Sequence, residues 1–165
     1  MKADKVYLVG FMGAGKTTVG RALAKRLGWQ AVDIDEVIEA REHLAVAEIF
    51  ARRGEPYFRA VERAVLLEHL APRHLVVATG GGTFMDPDNR AAINLDGVSV
   101  WLDVPLEEVV ARLPADGRRP LAADRAQLER LFTLRQIAYA NAQLRVDARG
   151  EHPEAVAERI IEAVS

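Results

Sequence analysis

The sequence predicts an α/β fold in which helices flank a five-stranded parallel sheet on both faces. Two observations predict it: short apolar runs rich in β-branched residues alternate with longer helical patterns, and glycine or proline separates many of them. The length of 165 residues suits one domain with its own core, and no repeat or low-complexity tract divides it. Ligands of such sheets bind beyond the carboxyl ends of the strands, so the residues after each strand are candidates for function.

Each element has its own signal in the sequence. The apolar runs predicted as strands are 6–9, 31–34, 75–79, 98–102 and 144–148. The segments predicted as helices are 17–27, 36–53 with a weak point near His43, 58–70, 88–95, 106–113, 124 to about 141, and 153–164. Gly28 and Gly54 follow two of these helices, and Pro105 opens another. After the polar loop 114–123, Asp124 is expected to cap a helix.

Composition and charge exclude several classes of protein. The chain lacks cysteine, which excludes disulfides, thiolate zinc sites and a cysteine nucleophile, and its four histidines lack metal-ligand spacing. A net charge of −2 argues against a nucleic-acid partner. No apolar run approaches the roughly 18 residues of a membrane span, and no secretory signal precedes the first strand. We therefore expect a cytoplasmic protein with no membrane partner.

The first strand leads into a phosphate-binding loop. Residues 10–17 are Gly-Phe-Met-Gly-Ala-Gly-Lys-Thr, which fits the pattern G-x-x-x-x-G-K-[ST]. Its glycines let backbone N–H groups face an anion, and the next helix directs its positive end to the same place. Lys16 is expected to hold the β- and γ-phosphates, and Thr17 to offer its hydroxyl to Mg²⁺. The guanine-binding Asn-Lys-x-Asp segment of GTPases is absent, and a motor needs further domains, so a small kinase is favoured.

The second strand ends in two carboxylates. Asp33 and Asp35 are two residues apart, and a period of two predicts that both side chains lie on one face of the strand end. One carboxylate would help to hold Mg²⁺, and the other would accept or orient a hydroxyl proton. The structural alternative is that Asp35 only caps the next helix.

Two further motifs follow later in the sequence. Arg59 and Glu62 are three residues apart at the start of a predicted helix, so their side chains can pair. Three consecutive glycines, 80–82, follow the third strand. Because such a run is entropically costly, it predicts that a ligand approaches bare backbone there.

Arginines mark the last two candidates. Arg118 and Arg119 lie in the polar loop, which is typical of a mobile lid that brings an arginine to a transferring phosphate. A solvated charged loop is the structural alternative. Arg135 and Tyr139 lie one turn apart on the helix that follows.

Taken in order, these motifs resemble the shikimate kinase family over almost the whole chain. They are residues 10–18, 33–35, 54–62, 80–82 and 119–121, and Arg135 with Tyr139. The resemblance implies a nucleoside-monophosphate-kinase-like P-loop kinase fold with a mobile lid: one kinase domain over 1–165, an acceptor region at about 35–62 and a lid at about 113–124. It also implies transfer of the γ-phosphate of ATP to the 3-hydroxyl of shikimate, with Mg²⁺, in aromatic amino-acid biosynthesis. We expect a monomer whose partners are these small molecules.

Carried over by position, the resemblance gives each site residue a role. The catalytic set is Lys16, Asp35 and Arg119. The ATP-binding set is Gly13, Ala14, Gly15, Lys16, Thr17, Thr18, Arg112, which would flank the adenine, and Arg119. The shikimate-binding set is Asp35, Arg59, Gly80, Gly81, Gly82 and Arg135, with Arg59 and Arg135 at the carboxylate. The Mg²⁺ set is Thr17 and Asp33.

Some features depart from the family pattern, and two alternatives stay open. Family members often place a further arginine near the adenine, before the proline of the last helix; here that stretch is Arg-Gly-Glu-His at 149–152, and the second side of the pocket is unassigned. The proline often found shortly after the arginine of the late helix is also absent. One alternative is a P-loop kinase for another small hydroxy acid such as gluconate, and the other is a non-catalytic nucleotide-binding regulator. Phosphorylation assays with shikimate and gluconate side by side distinguish them.

Overall fold

The chain forms a five-stranded parallel sheet, as the sequence predicts. The computed structural model describes residues 3–112 and 122–165. Its strands are β1 (Lys5–Val9), β2 (Gln30–Asp33), β3 (Leu75–Ala78), β4 (Val98–Asp103) and β5 (Leu144–Asp147). They pair in the order β2-β3-β1-β4-β5, and every pairing is parallel.

Helices connect the strands. They are α1 (Lys16–Leu27), α2 (Ile34–Glu42), α3 (Val46–Arg53), α4 (Glu55–Glu68), α5 (Pro87–Asp96), α6 (Leu106–Ala111), α7 (Ala122–Tyr139) and α8 (Pro153–Val164). A 3₁₀ turn, Thr83–Met85, follows the glycine run and has no counterpart in the sequence-based prediction.

The strand order puts helices on both faces of the sheet. The connection from β1 through α1 runs towards one edge, whereas the connection from β3 through α5 to β4 runs towards the other. Since crossovers in parallel sheets are right-handed, connections that run in opposite directions place α1 and α5 on opposite faces. The chain reverses direction next to β1, and such a switch point opens a crevice at the carboxyl ends of the strands.

The central strands form the core. All residues of β1 and β3 are buried, and so are all those of β4 except Asp103, which is typical of a parallel sheet covered on both faces. The edge strands β2 and β5 are more exposed. Within residues 3–112 and 122–165, no helix is both long and apolar enough to cross a membrane.

Two predictions about helices were wrong. The predicted helix 36–53 is two helices, because His43 adopts a left-handed conformation with φ 56° that ends α2. Asp124 is not a helix cap, because α7 already begins at Ala122 and Asp124 lies in its first turn.

The structure also corrects the strand geometry assumed for the two carboxylates. β2 ends at Asp33, whose Oδ1 accepts the Glu36 N–H at 3.0 Å and thereby caps α2. Asp35 therefore lies in the first helical turn and does not share a strand face with Asp33. The capping role weighed for Asp35 belongs to Asp33 instead.

Candidate active site

The phosphate loop joins β1 to α1. Gly13 and Gly15 have φ of 74° and 92°, a conformation that favours glycine. Because α1 begins at Lys16, its unpaired N–H groups and positive dipole end lie at the loop. Lys16 Nζ donates to the carbonyl oxygens of Gly10 and Phe11, at 2.5 and 3.1 Å. Burial lowers the pKa of Lys16 to about 8, and the anionic oxygens of a nucleotide would favour its charged form again.

Thr17 and Asp33 bring two side-chain oxygens together beside this loop. The Thr17 hydroxyl donates to Asp33 Oδ2, which fixes both side chains. Mg²⁺ takes oxygen ligands and keeps several waters, so this pair together with nucleotide phosphates suits it. Among the residues described, no group of three or more histidine, cysteine or acidic side chains is arranged for a metal. The residues present therefore fit a Mg²⁺ ion that arrives with a nucleotide.

Asp35 carries an unpaired buried oxygen. Its Oδ1 is buried and has no hydrogen-bond partner in the part of the chain that the structure describes. Burial raises the pKa of Asp35 to about 6, and the charge of Asp33 adds to this effect while Lys16 opposes it. Buried polar atoms without partners are rare in native proteins and mark candidates for function. Asp35 is therefore ready to accept a hydrogen bond, and then a proton, from a ligand hydroxyl.

The three glycines after β3 each face a different predicted site residue. An added Cβ would lie 2.8 Å from an oxygen of Asp35 at Gly80, 2.9 Å from a nitrogen of Arg135 at Gly81, and 2.5 Å from a nitrogen of Arg59 at Gly82. The sequence predicts that a ligand approaches bare backbone here, which stays a prediction, and the structure adds a second reason for the glycines. The glycines leave room for three charged side chains of the protein itself.

Arg59 reaches this glycine run from α4 and is held by a buried acid. Its Nη1 donates to both carboxylate oxygens of Glu62, at 3.1 and 3.2 Å, which confirms the predicted pair. The Glu62 side chain is 1% exposed, whereas that of Arg59 is 32% exposed. A guanidinium has more donors than these contacts use, so Arg59 still offers N–H groups to an anion.

Arg135 reaches the same run from α7. Its guanidinium carbon lies 5.7 Å from the centre of the Phe11 ring, a cation–π contact that links it to the phosphate loop. One turn later, the buried Tyr139 donates its hydroxyl to the Gly81 carbonyl at 2.5 Å. Burial raises the pKa of Tyr139 to about 12, so it remains a donor at neutral pH. The sequence marked Arg135 and Tyr139, but nothing in it marked Phe11 as a neighbour of Arg135.

A cavity of about 290 Å³ lies between the phosphate loop, the end of α6 and the start of α8. It is lined by Gly13, Ala14, Gly15, Thr18, Val19, Arg112, Ala148, Glu151, Pro153 and Val156. Arg112 donates to the Gly13 carbonyl at 2.8 Å and to Glu108 at 2.7 Å. The other Glu108 oxygen accepts the Gly150 N–H at 2.8 Å. The Glu108 carboxylate thus connects Arg112, which lines the cavity, with Gly150, which precedes the lining residue Glu151.

Two features of this cavity were missed by the sequence analysis. The sequence left the second side of the expected adenine pocket unassigned, and the structure adds Ala148, Glu151 and Pro153 to the lining of this cavity. Glu108 was not a candidate, although its spacing of four residues from Arg112 on one helix was an available signal.

The structure brings nearly all the described candidates to one crevice. Asp33 ends β2 and Asp35 follows it, the glycine run follows β3, and the phosphate loop follows β1, so all lie at the carboxyl ends of three adjacent strands. Arg118 and Arg119, and most of the predicted lid 113–124, lie outside the described residues. Their roles stay predictions.

Comparisons with known proteins agree with this arrangement. The family model described as shikimate kinase matches residues 12–165. A shikimate kinase of Thermosynechococcus vestitus is 47% identical over 96% of this chain and 88% of its own length. One from Persephonella marina is 41% identical over 94% of this chain and 96% of its own. A solved shikimate kinase of Acinetobacter baumannii, in complex with shikimate, superposes with a TM-score of 0.90 at 34% identity, covering 98% and 92% of the two chains.

Proposed function

This chain belongs to the shikimate kinase family, and we infer that it carries out the ATP-dependent phosphorylation of shikimate in aromatic amino-acid biosynthesis. It is an enzyme of the P-loop kinase class, which decides against the non-catalytic regulator and favours shikimate over gluconate as the acceptor. We further propose that residues 1–165 form one kinase domain with an acceptor region at about 35–62 and a lid at about 113–124.

The acceptor site is the glycine run with the three side chains around it. One observation carries this proposal: Asp35, Arg59 and Arg135 come from three different helices and meet at three consecutive glycines. Arg59 and Arg135, here called the carboxylate clamp, would bind the shikimate carboxylate, since a guanidinium matches a carboxylate with two parallel hydrogen bonds. Asp35 would then accept a hydrogen bond from a ring hydroxyl of shikimate.

The transfer step needs a base, cations and a nucleotide held in line. The oxygen of the 3-hydroxyl bonds to the γ-phosphorus, the bond from that phosphorus to its bridging oxygen breaks, and ADP leaves with the electron pair. The hydroxyl proton passes to Asp35. Lys16 and Arg119 would stabilise the charge on the transferring group.

The nucleotide would occupy the loop and the adjoining cavity. Residues 13–18 would hold the phosphates, and Arg112 would flank the adenine. Thr17 and Asp33 would hold Mg²⁺, which neutralises phosphate charge when it is bound. Their mutual hydrogen bond supports this assignment, because it keeps both oxygens side by side.

We also propose a monomer that works in the cytoplasm. All the described site residues belong to one chain, so one copy can build the site, and the cytoplasm supplies ATP. Light scattering during size-exclusion chromatography measures the mass in solution, and a mass of two chains at micromolar concentration contradicts the monomer.

The carboxylate clamp provides the test of this function. Arg59→Lys and Arg135→Lys should each weaken shikimate binding by about 10- to 100-fold, because a charged hydrogen bond contributes about 1.5–3 kcal/mol. ATP affinity should change little, and shikimate methyl ester should be a poor substrate of the unmodified enzyme. Arg41→Lys is the matched control, since it removes an arginine fork on Glu68 at the protein surface. Equal binding of acid and ester by the unmodified enzyme contradicts the clamp.

A further inference from the structure

Behind the acceptor site lies a set of buried polar side chains that the proposed chemistry does not use. Glu62, Thr83 and Asn89 are 1%, 0% and 3% exposed. Burying polar groups is unfavourable unless each is hydrogen-bonded. Their contacts therefore indicate what they do.

These three residues form a continuous chain of hydrogen bonds that ends at Arg59 and that passes through the backbone carbonyl of Thr83. Thr83 Oγ1 donates to Glu62 Oε2 at 2.9 Å, and Glu62 in turn accepts from Arg59. On the other side, Asn89 Nδ2 donates to the Thr83 carbonyl at 3.1 Å. Arg63 donates to Asn89 Oδ1 at 2.8 Å and completes the chain.

The Thr83 hydroxyl is not needed to form the turn in which it lies. The backbone bonds of the 3₁₀ turn run from Thr83 N–H to the Gly80 carbonyl and from Met85 N–H to the Gly82 carbonyl. The hydroxyl instead lies next to the acceptor site, where a Cβ on Gly80 would be 3.2 Å from it. Its hydrogen bond to Glu62 thus connects the glycine run to the acid that holds Arg59.

We propose that Thr83 is a positioning residue for the acceptor carboxylate, acting through Glu62 on Arg59. Glu62 has two oxygens that must point at Arg59, and a buried carboxylate with a single cationic partner can rotate. The Thr83 hydroxyl fixes one oxygen from the opposite side, and Asn89 fixes the Thr83 backbone. The Arg59 fork is thereby oriented before shikimate arrives, which lowers the entropic cost of binding. This inference rests on the proposed assignment of Arg59 to the carboxylate.

The test uses Thr83→Val, which keeps the shape of the side chain and removes only the hydroxyl. Shikimate affinity, measured by calorimetry, should fall about tenfold, as expected for a lost hydrogen bond to a charged group. The KM for ATP should stay within about twofold and kcat should change less than the KM for shikimate, because Thr83 does not touch the reacting atoms. Thr83→Ser should restore shikimate affinity.

Two comparisons separate positioning from general destabilisation. Ser99→Ala removes another buried hydroxyl, bonded to Asn94 in a different part of the sheet, and should leave shikimate affinity unchanged. Shikimate methyl ester lacks the carboxylate charge, so its weak binding should not change in Thr83→Val. If the variant loses acid and ester affinity equally, Thr83 has only a structural role and the proposal is overturned.

Arg59→Lys, measured in parallel, distinguishes the positioning role of Thr83 from the assignment of Arg59 to the carboxylate. If Arg59→Lys loses shikimate affinity but a folded Thr83→Val does not, the positioning role is wrong and the carboxylate clamp stands. If neither variant loses affinity, the assignment of Arg59 to the carboxylate is wrong, and the role of Thr83 falls with it. Loss in both, with rescue by Thr83→Ser, supports the proposal.

Discussion

Replacing Gly82 by alanine should disable shikimate binding while leaving the fold intact. The backbone at Gly82 has φ −102° and ψ −5°, a conformation open to residues with a side chain. Glycine is thus not required there by the turn. What it provides is space, because the guanidinium of Arg59 lies directly over it.

The structure gives the size of the conflict. An added Cβ would lie 2.5, 2.6 and 2.9 Å from Nη2, Nη1 and Cζ of Arg59. Since ordinary contacts between heavy atoms begin near 3.5 Å, the guanidinium must retreat by about 1 Å. The guanidinium lies at the end of a flexible side chain, so it can move at little cost to stability. In its new position it would no longer make two parallel hydrogen bonds with the shikimate carboxylate. The loss of charged hydrogen bonds, about 1.5–3 kcal/mol, weakens shikimate binding about 10- to 100-fold.

Calorimetric titrations of shikimate and of ADP, with a thermal melt, measure each part of this prediction. Gly82→Ala should lose shikimate affinity, keep ADP affinity and melt near the unmodified protein. Gly28→Ala is the opposite control: its φ of 71° makes alanine unfavourable, yet nothing lies within 4 Å of its added Cβ. It should lower the melting temperature and leave both affinities unchanged. A folded Gly82→Ala protein that binds shikimate within twofold of the original refutes the steric argument.

Five further predictions concern the nucleotide, the chemistry and the stability of the fold. Lys16→Ala should remove most turnover without unfolding the chain, and near-normal kcat in a folded variant contradicts the phosphate-loop assignment. The raised pKa of Asp35, about 6, predicts that kcat falls as pH drops through 6. Because an ionised buried Asp35 destabilises the fold above that pH, Asp35→Asn should be inactive but melt higher at pH 8, and this gain should disappear as pH falls towards 3.8. Arg119→Ala should lower kcat far more than acceptor affinity and Arg118→Ala much less; the reverse result shifts the lid register by one residue. Glu108→Ala should raise the KM for ATP several-fold and leave that for shikimate unchanged, and the absence of this split contradicts its bracing of Arg112.

The candidate site could be predicted from the sequence in its residues better than in its geometry. Asp35 was expected on a strand face beside Asp33, and it lies in a helix because the Asp33 side chain caps that helix. The glycine run was expected to face a ligand, and it faces protein side chains first. In both cases a local pattern identified residues that the structure brings to one crevice, while packing between distant elements decided what surrounds them.

The sequence by itself determined the layers of the fold and the phosphate loop, because both depend on signals within a few neighbouring residues. Apolar periodicity defines strands and helices, and the loop needs only glycines, Lys16 and Thr17 in fixed order. Only the tertiary structure decided that Arg59 and Arg135 meet at one run of three glycines, that Thr83 bonds to Glu62, and that Glu108 joins Arg112 to Gly150. Contacts of this kind join residues from different elements of the fold, and the crossovers and packing between those elements bring them together.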